Sequence, residues 1–544
     1  MATPDNEKRL RLDPTPSGVA ISLGGRRLSG RDGTASFLRR FPTPLPEQTL
    51  LVVFSPLLGE GMTELLGDLP STTALLLVDF EEDLFHLGSH PLSKFPPLPC
   101  HRCLRASSRD EAIRGARRLV EERGLRRVTA VHATGGARLH ASAYARLEEN
   151  LREIVQRFWS NRGTQIRLGR RWVSNLLANA CLEQTPLQKV AQSCSFSRAV
   201  LLGAGCDLDN HLETARSLQG RGVPLIALDT ALPALAEAGL EPEVIVAMDS
   251  QLANAKDLLP WRWDRTTLIA DLTVHPTIPR RFLPEQRSFF VSRFGKVSFF
   301  SPDPASQVLA GIPVVSPRGS VAPAALDILV RLLGVRTVLT IGIDFHYRLP
   351  RTHAHLTAGD RRMRSEMTRL LRRDGNHEYL LRPRRDVLLR TGQPARGDAI
   401  LADQALQMHH TTTELQRFLP DLRVFCLNGE GLETGATLIP TGDLLSRFQE
   451  SPPAPAMEQA GSETGGPSGQ ALRREALESL LARLRLQEEH PGFIDSGLDF
   501  VLLDLPQWPL LTTRTEWALL QRERILRSTR DYRRRLERIL SAFS

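Results

Sequence analysis

The sequence predicts an α/β protein in which a Rossmann-like N-terminal domain precedes a central, doubly wound and mainly parallel sheet, with a helical appendage at the C-terminus. Three observations carry this. Short apolar runs alternate with amphipathic stretches in two separate regions, the pattern of strands joined by crossover helices. At 544 residues the chain exceeds the about 250–300 that one core usually serves. Residues 451–470 (SPPAPAMEQAGSETGGPSGQ) then lose all apolar periodicity before two helical patterns resume.

Taken in order, residues 50–54 read as a strand, residues 56–61 as a turn containing Gly59 and Gly61, and Ala74–Val78 as a second strand ending in Asp79. This is a βαβ opening in which the loop would approach a ligand and the acid a ribose. With only two glycines the dinucleotide fingerprint is incomplete, so the order supports a structural Rossmann-like domain over residues 1–150 before it supports a cofactor. A helix from residue 141 leads into a connecting segment, 151–185, that carries Arg170, Trp172, Asn175 and Asn179.

The central domain, 186–445, opens with the apolar strand Arg198–Leu202, then Gly203-Ala204-Gly205-Cys206-Asp207-Leu208 and a helix. Residues 224–228 form a second strand ending on Asp229-Thr230, and 244–248 a third ending on Asp249. Arg318-Gly319-Ser320 opens a further helix, and Thr337–Ile341 is a strand ending in Gly342-Ile343-Asp344. Beyond a flexible linker, 446–475, the region 476–544 reads as two helices whose arginines form a solvated face.

Several function classes are excluded on composition. Residues 1–13 lack the apolar stretch of a secretory signal, and no run reaches the about 20 residues of a membrane helix, so a cytoplasmic location without a membrane span is expected. Six cysteines are too few for a disulfide framework, and Cys100-His-Arg-Cys103 has no second pair to complete a zinc site, so no metal centre is assigned. The net charge of +9 comes from 70 basic residues of which all but Lys8, Lys94, Lys189, Lys256 and Lys296 are arginine, spread along the chain. Such uniformity, without a recognition motif, argues against nucleic acid and leaves anionic small molecules or acidic partners.

Ligands bind parallel sheets at the carboxyl ends of the strands. Four strands ending in Gly203, Asp229, Asp249 and Asp344 therefore predict a crevice at one sheet edge. Gly203 and Gly205 let backbone approach a ligand, and the helix after them offers N–H groups to a phosphate. Asp229 and Asp249 can accept from sugar hydroxyls or hold a divalent cation, and the segment 345–355, with His346, His353 and His355, supplies candidate bases.

The segments LLGAGCDLD, ALDTALPALAEAGLEPEVIVAMDS, RGSVAPAALDILVRLLGVRTVLTIGIDF and the later THA together resemble the domain shared by motility-associated factors and archaeal 6-hydroxymethyl-dihydropterin diphosphokinases. The Rossmann-like N-terminal domain and the Arg170, Trp172, Asn175 region favour the multidomain motility-associated factors, the family of flagellin glycosyltransferases. That resemblance implies a central fold like that of bacterial sialyltransferases. It also implies transfer of a nonulosonic acid, of pseudaminic or legionaminic type, from its CMP ester to Ser or Thr of flagellin. CMP-nonulosonic acid would be the donor and flagellin the acceptor. Gly203, Gly205, Asp207, Asp229, Thr230, Asp249, Ser320 and Asp344 would line the nucleotide-sugar site, with His353 of Thr-His-Ala as the catalytic base. Two departures stand out. Gly205-Cys206-Asp207-Leu208 replaces the family's Gly-Pro-Ser-Leu, and Pro242-Glu243 its Pro-Asp. A carboxylate at Asp207 would repel a phosphate unless it points away or holds a metal. A diphosphokinase-like enzyme and a non-catalytic flagellin-binding homologue remain open beside the transferase.

Overall fold

The structure is a computed structural model. It describes residues 10–15, 18–29, 33–193, 196–258, 260–292, 308–316, 318–348, 351–370, 384–427, 431–444, 469–490, 498, 500–501 and 522–542. It falls into two compact units, residues 1–167 with 502–520, and residues 168–501 with 521–544.

The first unit begins with an antiparallel sheet of β1 (Leu10–Thr15), β2 (Gly18–Leu23) and β3 (Arg26–Arg27), then α1 (Gly33–Leu38). Its main sheet contains β4 (Thr49–Phe54), β5 (Ala74–Val78), β6 (Cys103–Ala106) and β7 (Arg127–His132), all parallel in the order β6-β5-β4-β7. The connecting helices are α2 (Met62–Asp68), α3 (Glu82–His86) and α4 (Arg109–Arg123). Leu50, Val52 and Phe54 enter one apolar cluster and Leu51 and Val53 another. The sheet is thus buried on both faces, which is why β4 and β5 are continuous apolar runs. Gly59 and Gly61 both have positive φ, and a Cβ there would meet the Phe95 and Phe37 rings at 2.7 Å. The loop after β4 is thus closed by aromatic side chains of the same unit. Burial pushes Asp79, at the end of β5, up to about 7.

Helix α5 (Ala141–Ala180) is continuous across the stretch expected to be a separate connector. In the second unit it is followed by α6 (Leu187–Ser193), β8 (Arg198–Leu202), α7 (Leu208–Gln219), β9 (Leu225–Leu228), α8 (Leu232–Glu237), β10 (Val244–Ala247) and α9 (Leu252–Leu258). Next come β11 (Thr267–Asp271), β12 (Arg287–Ser292), β13 (Val314–Val315), α10 (Val321–Asp327), β14 (Thr337–Ile341) and α11 (Ala358–Ser365). A hairpin of β15 (Arg384–Leu388) and β16 (Pro394–Asp398), the helix Ala399–Phe418, β17 (Arg423–Leu427) and β18 (Thr437–Ile439) follow.

Nine of these strands form one parallel sheet in the order β13-β12-β11-β10-β9-β8-β14-β17-β18. Ala199, Leu201, Ile226, Val244, Val246 and Val338 share a core with α6, α10 and the helix Ala399–Phe418. Their alternate neighbours Val200, Leu202, Ala227, Ile245 and Leu339 are equally buried, so both faces are covered and the sheet is doubly wound.

The last residues of the stretch expected to be a linker are helical. Gly469 already begins the helix Gly469–Glu489, while residues 451–468 lie outside the described residues. Nor is the C-terminal region a loose appendage. Arg473 is 4% exposed and donates from Nε to the Ala180 carbonyl and from Nη1 to that of Ala310, both at 2.9 Å. The helix Arg522–Ser541 packs beside Gly469–Glu489 through Arg530 and Arg533 on Glu488, and Arg485 on Glu537. Sequence periodicity finds such helices but not the buried arginine that docks one of them. Arg473→Ala leaves two carbonyls without a donor and should lower the unfolding free energy by about 1–3 kcal/mol, measured by denaturant titration; an unchanged midpoint would mean that the helix is not held there.

Candidate functional site

From β8 the chain proceeds to β9 on one side, while β14, on the other side of β8, proceeds to β17. The loops leaving β8 and β14 therefore diverge, and β8/β14 is the topological switch point at which open α/β sheets bind ligands.

Glycine is needed at this point because two loops touch. A Cβ on Gly203 would lie 2.4 Å from the Gly342 carbonyl oxygen, and one on Gly342, whose φ is +67°, 2.4 Å from that of Gly203. Gly205 donates its N–H to the Gly342 carbonyl at 2.7 Å, and its missing Cβ leaves the space that the Asp344 carboxylate fills. Asp344 Oδ2 in turn accepts the Asp207 N–H at 2.9 Å. Gly203, Gly205, Asp207 and Asp344 are thus one packed group, and what the glycines admit is the neighbouring loop. Burial pushes Asp344 up to about 7, against the Asp207 N–H and the charge of Arg348, which act to lower it.

The Asp207 departure finds its counterpart one helical turn on. Its carboxylate lies 3.3 Å from His211 Nε2, with both side chains buried, and Oδ1 accepts from Asn210 at 3.1 Å. Burial alone would raise this carboxyl, but His211, Asn210 and Arg348 together hold it below the usual value. The charge is directed into a pair within its own helix, so it need not oppose an incoming phosphate.

A second acidic group stands at the ends of β9 and β10. Asp229 is buried, and its Oδ1 accepts the Thr230 N–H at 2.8 Å and hydroxyl at 3.2 Å. Burial, with the nearby Asp249, pushes it up to about 6. Half-buried Asp249 accepts the Gln251 N–H at 2.8 Å. Asp257, on α9, joins them: burial, with Asp229 and Asp249, pushes it up to about 7. Sequence reading missed Asp257. Its only signal is an acid among the apolar positions Ala255 and Leu258 of a short helix.

The loop before α11 links the two groups. Ala354 donates its N–H to the Ala204 carbonyl at 2.9 Å, His355 to Asp209 at 2.9 Å, and Ala358 to Asp257 Oδ1 at 3.2 Å. Half-buried His353, with Nδ1 3.1 Å from the Thr352 hydroxyl, lies on this pinned loop. His346 is buried, and its Nδ1 has no partner among the described residues; burial and Arg348 hold its pKa down. His355 is engaged with Arg364 at 2.6 Å. Ser320 stands at the start of α10 with a buried Oγ that has no partner among the described residues, beside Arg318, which is paired to Asp327 and Glu414. Among the described residues Ser320 makes no side-chain hydrogen bond to either acidic group. Among the described residues no three His, Cys, Asp or Glu side chains are grouped to hold a metal ion.

Beyond β10, Asn175 and Asn179 of α5 dock on the same edge. Asn175 Nδ2 donates to the Ser250 and Thr273 carbonyls at 3.1 and 2.9 Å, and Asn179 Nδ2 to those of Leu272 and Val274 at 2.9 Å. The polar residues on this helix thus fix the loops that carry the strand-end acids.

A doubly wound sheet with polar groups at a switch point is the arrangement in which open α/β domains bind ligands, and comparison with known proteins narrows the class. Residues 172–349 match the family described as 6-hydroxymethylpterin diphosphokinase MptE-like, so the chain carries an MptE-like domain running from α5 past β14. Over 98% of its length the chain has the fold of the MAf glycosyltransferase from Magnetospirillum magneticum AMB-1, with a TM-score of 0.55, 12% identity and 91% of that chain covered. Two uncharacterized proteins of Treponema pallidum (strain Nichols) are also similar. One is 26% identical over 333 residues, 59% of this chain and 56% of that protein, and the other 33% identical over 88 residues, 16% and 41%. The chain thus spans about half the length of the curated relatives it matches. Both the expected fold class and the family resemblance are met by these findings.

The carboxyl pKa values set a pH dependence. Asp257 keeps its proton to about 7 when folded but ionises near 3.8 when unfolded, so the folded state binds more protons between these values and its stability falls as pH rises through that window. Above about 7 the full cost of the buried charge remains. An amide never ionises and still accepts from Ala358. Asp257→Asn should therefore stabilise the protein by at least about 1 kcal/mol more at pH 8 than at pH 4.5, read from unfolding midpoints. An equal effect at both pH values would show that Asp257 is ionised throughout.

Proposed function

We propose that the protein is a glycosyltransferase of the motility-associated-factor type, which transfers a nonulosonic acid from its CMP ester to Ser or Thr hydroxyls of flagellin. The observation that carries this reading is the likeness of the whole chain, both units included, to the MAf glycosyltransferase fold, combined with a switch point where polar and acidic groups meet. An MptE-like domain alone serves a diphosphokinase reading equally well. It does not account for the other unit.

The reaction is a displacement at the anomeric carbon. An acceptor oxygen forms the new bond while the bond to the CMP phosphate breaks, and the hydroxyl proton must leave. His353 is the assigned base: it is half-buried, on a loop fixed to both the glycine loop and Asp257. Asp229 and Asp249 accept from donor hydroxyls, Thr230 orders Asp229, and Ser320 offers a buried hydroxyl from α10. Pairing of Asp207 with His211 engages the carboxylate that would otherwise oppose the leaving phosphate.

Transfer from CMP-nonulosonate to flagellin by the purified protein tests the reading. His353→Ala should lower that rate by about 10²- to 10⁴-fold with CMP affinity almost unchanged, because a base acts on the acceptor. Asp249→Asn should instead weaken CMP binding directly. Stabilisation by ATP with hydroxymethylpterin, and none by CMP, would favour the diphosphokinase. No transfer with any CMP-nonulosonate would favour a non-catalytic flagellin-binding homologue.

A further inference from the structure

The second unit holds a basic pocket that the transferase reading does not use. It has a volume of about 280 Å³ and is lined by Arg170, Arg171, Ser174, Asn175, Asp531, Tyr532 and Arg535. Two helices build it. Positions 170, 171, 174 and 175 fall on one side of α5 by the 3.6-residue repeat, and 531, 532 and 535 on one side of Arg522–Ser541. The opposite side of the latter helix, through Arg530 and Arg533, is tied to Glu488, so the charges that face α5 are a separate set.

The charges do not balance. Among the described residues, three guanidinium groups face one carboxylate, Asp531, which pairs with Arg170 at 2.8 Å while both side chains remain over 40% exposed. Arg535 contacts the Ser174 hydroxyl, which itself donates to the Arg170 carbonyl at 2.6 Å, so this arginine is oriented by a neutral group. Arg171 is exposed at the rim. The excess is felt outside the pocket, where burial and then Arg171 and Arg280 hold the His275 pKa below its ordinary value. The floor is polar and fixed: the Asn175 side chain is anchored to the loops after β10 and β11. Such convergence of arginines over an ordered polar floor suits a multivalent oxyanion, since guanidinium groups donate in pairs to phosphate and carboxylate oxygens.

From this geometry we infer that the pocket between α5 and the helix Arg522–Ser541 is a binding site for the oxyanion group, phosphate or carboxylate, of a small ligand, with Arg171, Arg535 and Arg170 as its donors. The site is independent of the transferase assignment, and it is separate from the β8/β14 crevice. Its link to that crevice is Asn175, through which occupancy would bear on the loop that follows Asp249.

The test uses the full chain at low ionic strength, with inorganic pyrophosphate and N-acetylneuraminate as phosphate and carboxylate probes, read by calorimetry. The wild-type protein should bind one of them, and the preferred probe identifies the group. Arg171→Glu should weaken that binding at least about tenfold. Because Arg171 is exposed, the variant should keep its melting temperature without probe and its affinity for CMP. Arg535→Met, which keeps the apolar stem, should weaken the probe as well. Binding of neither probe to the wild-type protein, or equal binding by Arg171→Glu, overturns the inference. So does a loss of CMP affinity in Arg171→Glu as large as its loss of probe, since it would merge the pocket with the crevice.

Discussion

A parallel sheet whose chain leaves its middle strands in opposite directions must part its loops somewhere, and in the second unit the parting falls between β8 and β14. There the backbones of Gly203 and Gly342 come so close that a methyl group on either would lie 2.4 Å from the other's carbonyl oxygen. Most of the candidate site follows from that approach. It sets Asp344 against Gly205 and within reach of the Asp207 N–H. The 351–358 loop then rests on Ala204 and Asp257, which carries His353 to the sheet edge.

The same constraint explains the acid chemistry. Carboxyls packed at the sheet edge lose water, and three of them, Asp229 and Asp344 at strand ends and Asp257 on α9, rise to between about 6 and about 7. Asp207 behaves differently because its carboxylate is paired with His211, on the next turn of its own helix. A crevice edged by carboxyls that titrate near neutrality and one that stays ionised can offer both donors and acceptors to a polyhydroxylated ligand.

Much of this was legible in the sequence, for a physical reason. Strands buried on both faces read as unbroken apolar runs, and chain order through a doubly wound sheet places their ends on one edge. The placing of Gly203, Asp229, Asp249 and Asp344 on one edge therefore came from order alone, whereas Asp207 entered through the family resemblance. What the glycines meet did not, because strand pairing across more than 130 residues leaves no local trace. Asp257 and His211 were missed for a related reason: each lies inside a helix, where an ionisable residue usually faces water. The docking of the C-terminal helices was hidden in Arg473, whose surroundings in sequence are those of any solvated arginine.

The central claim is that the β8/β14 switch point, with the acids at the ends of β9 and β10, is where a cytidine nucleotide binds. Hydrogen exchange of the full chain with and without CMP measures this directly. Amides of residues 203–209, 229–231, 249–251 and 353–358 should exchange more slowly with CMP, while those of the first unit's β4 and β5 loops should not change. Protection confined to the first unit, or to the basic pocket at α5, with the switch-point loops unaffected, would contradict the account.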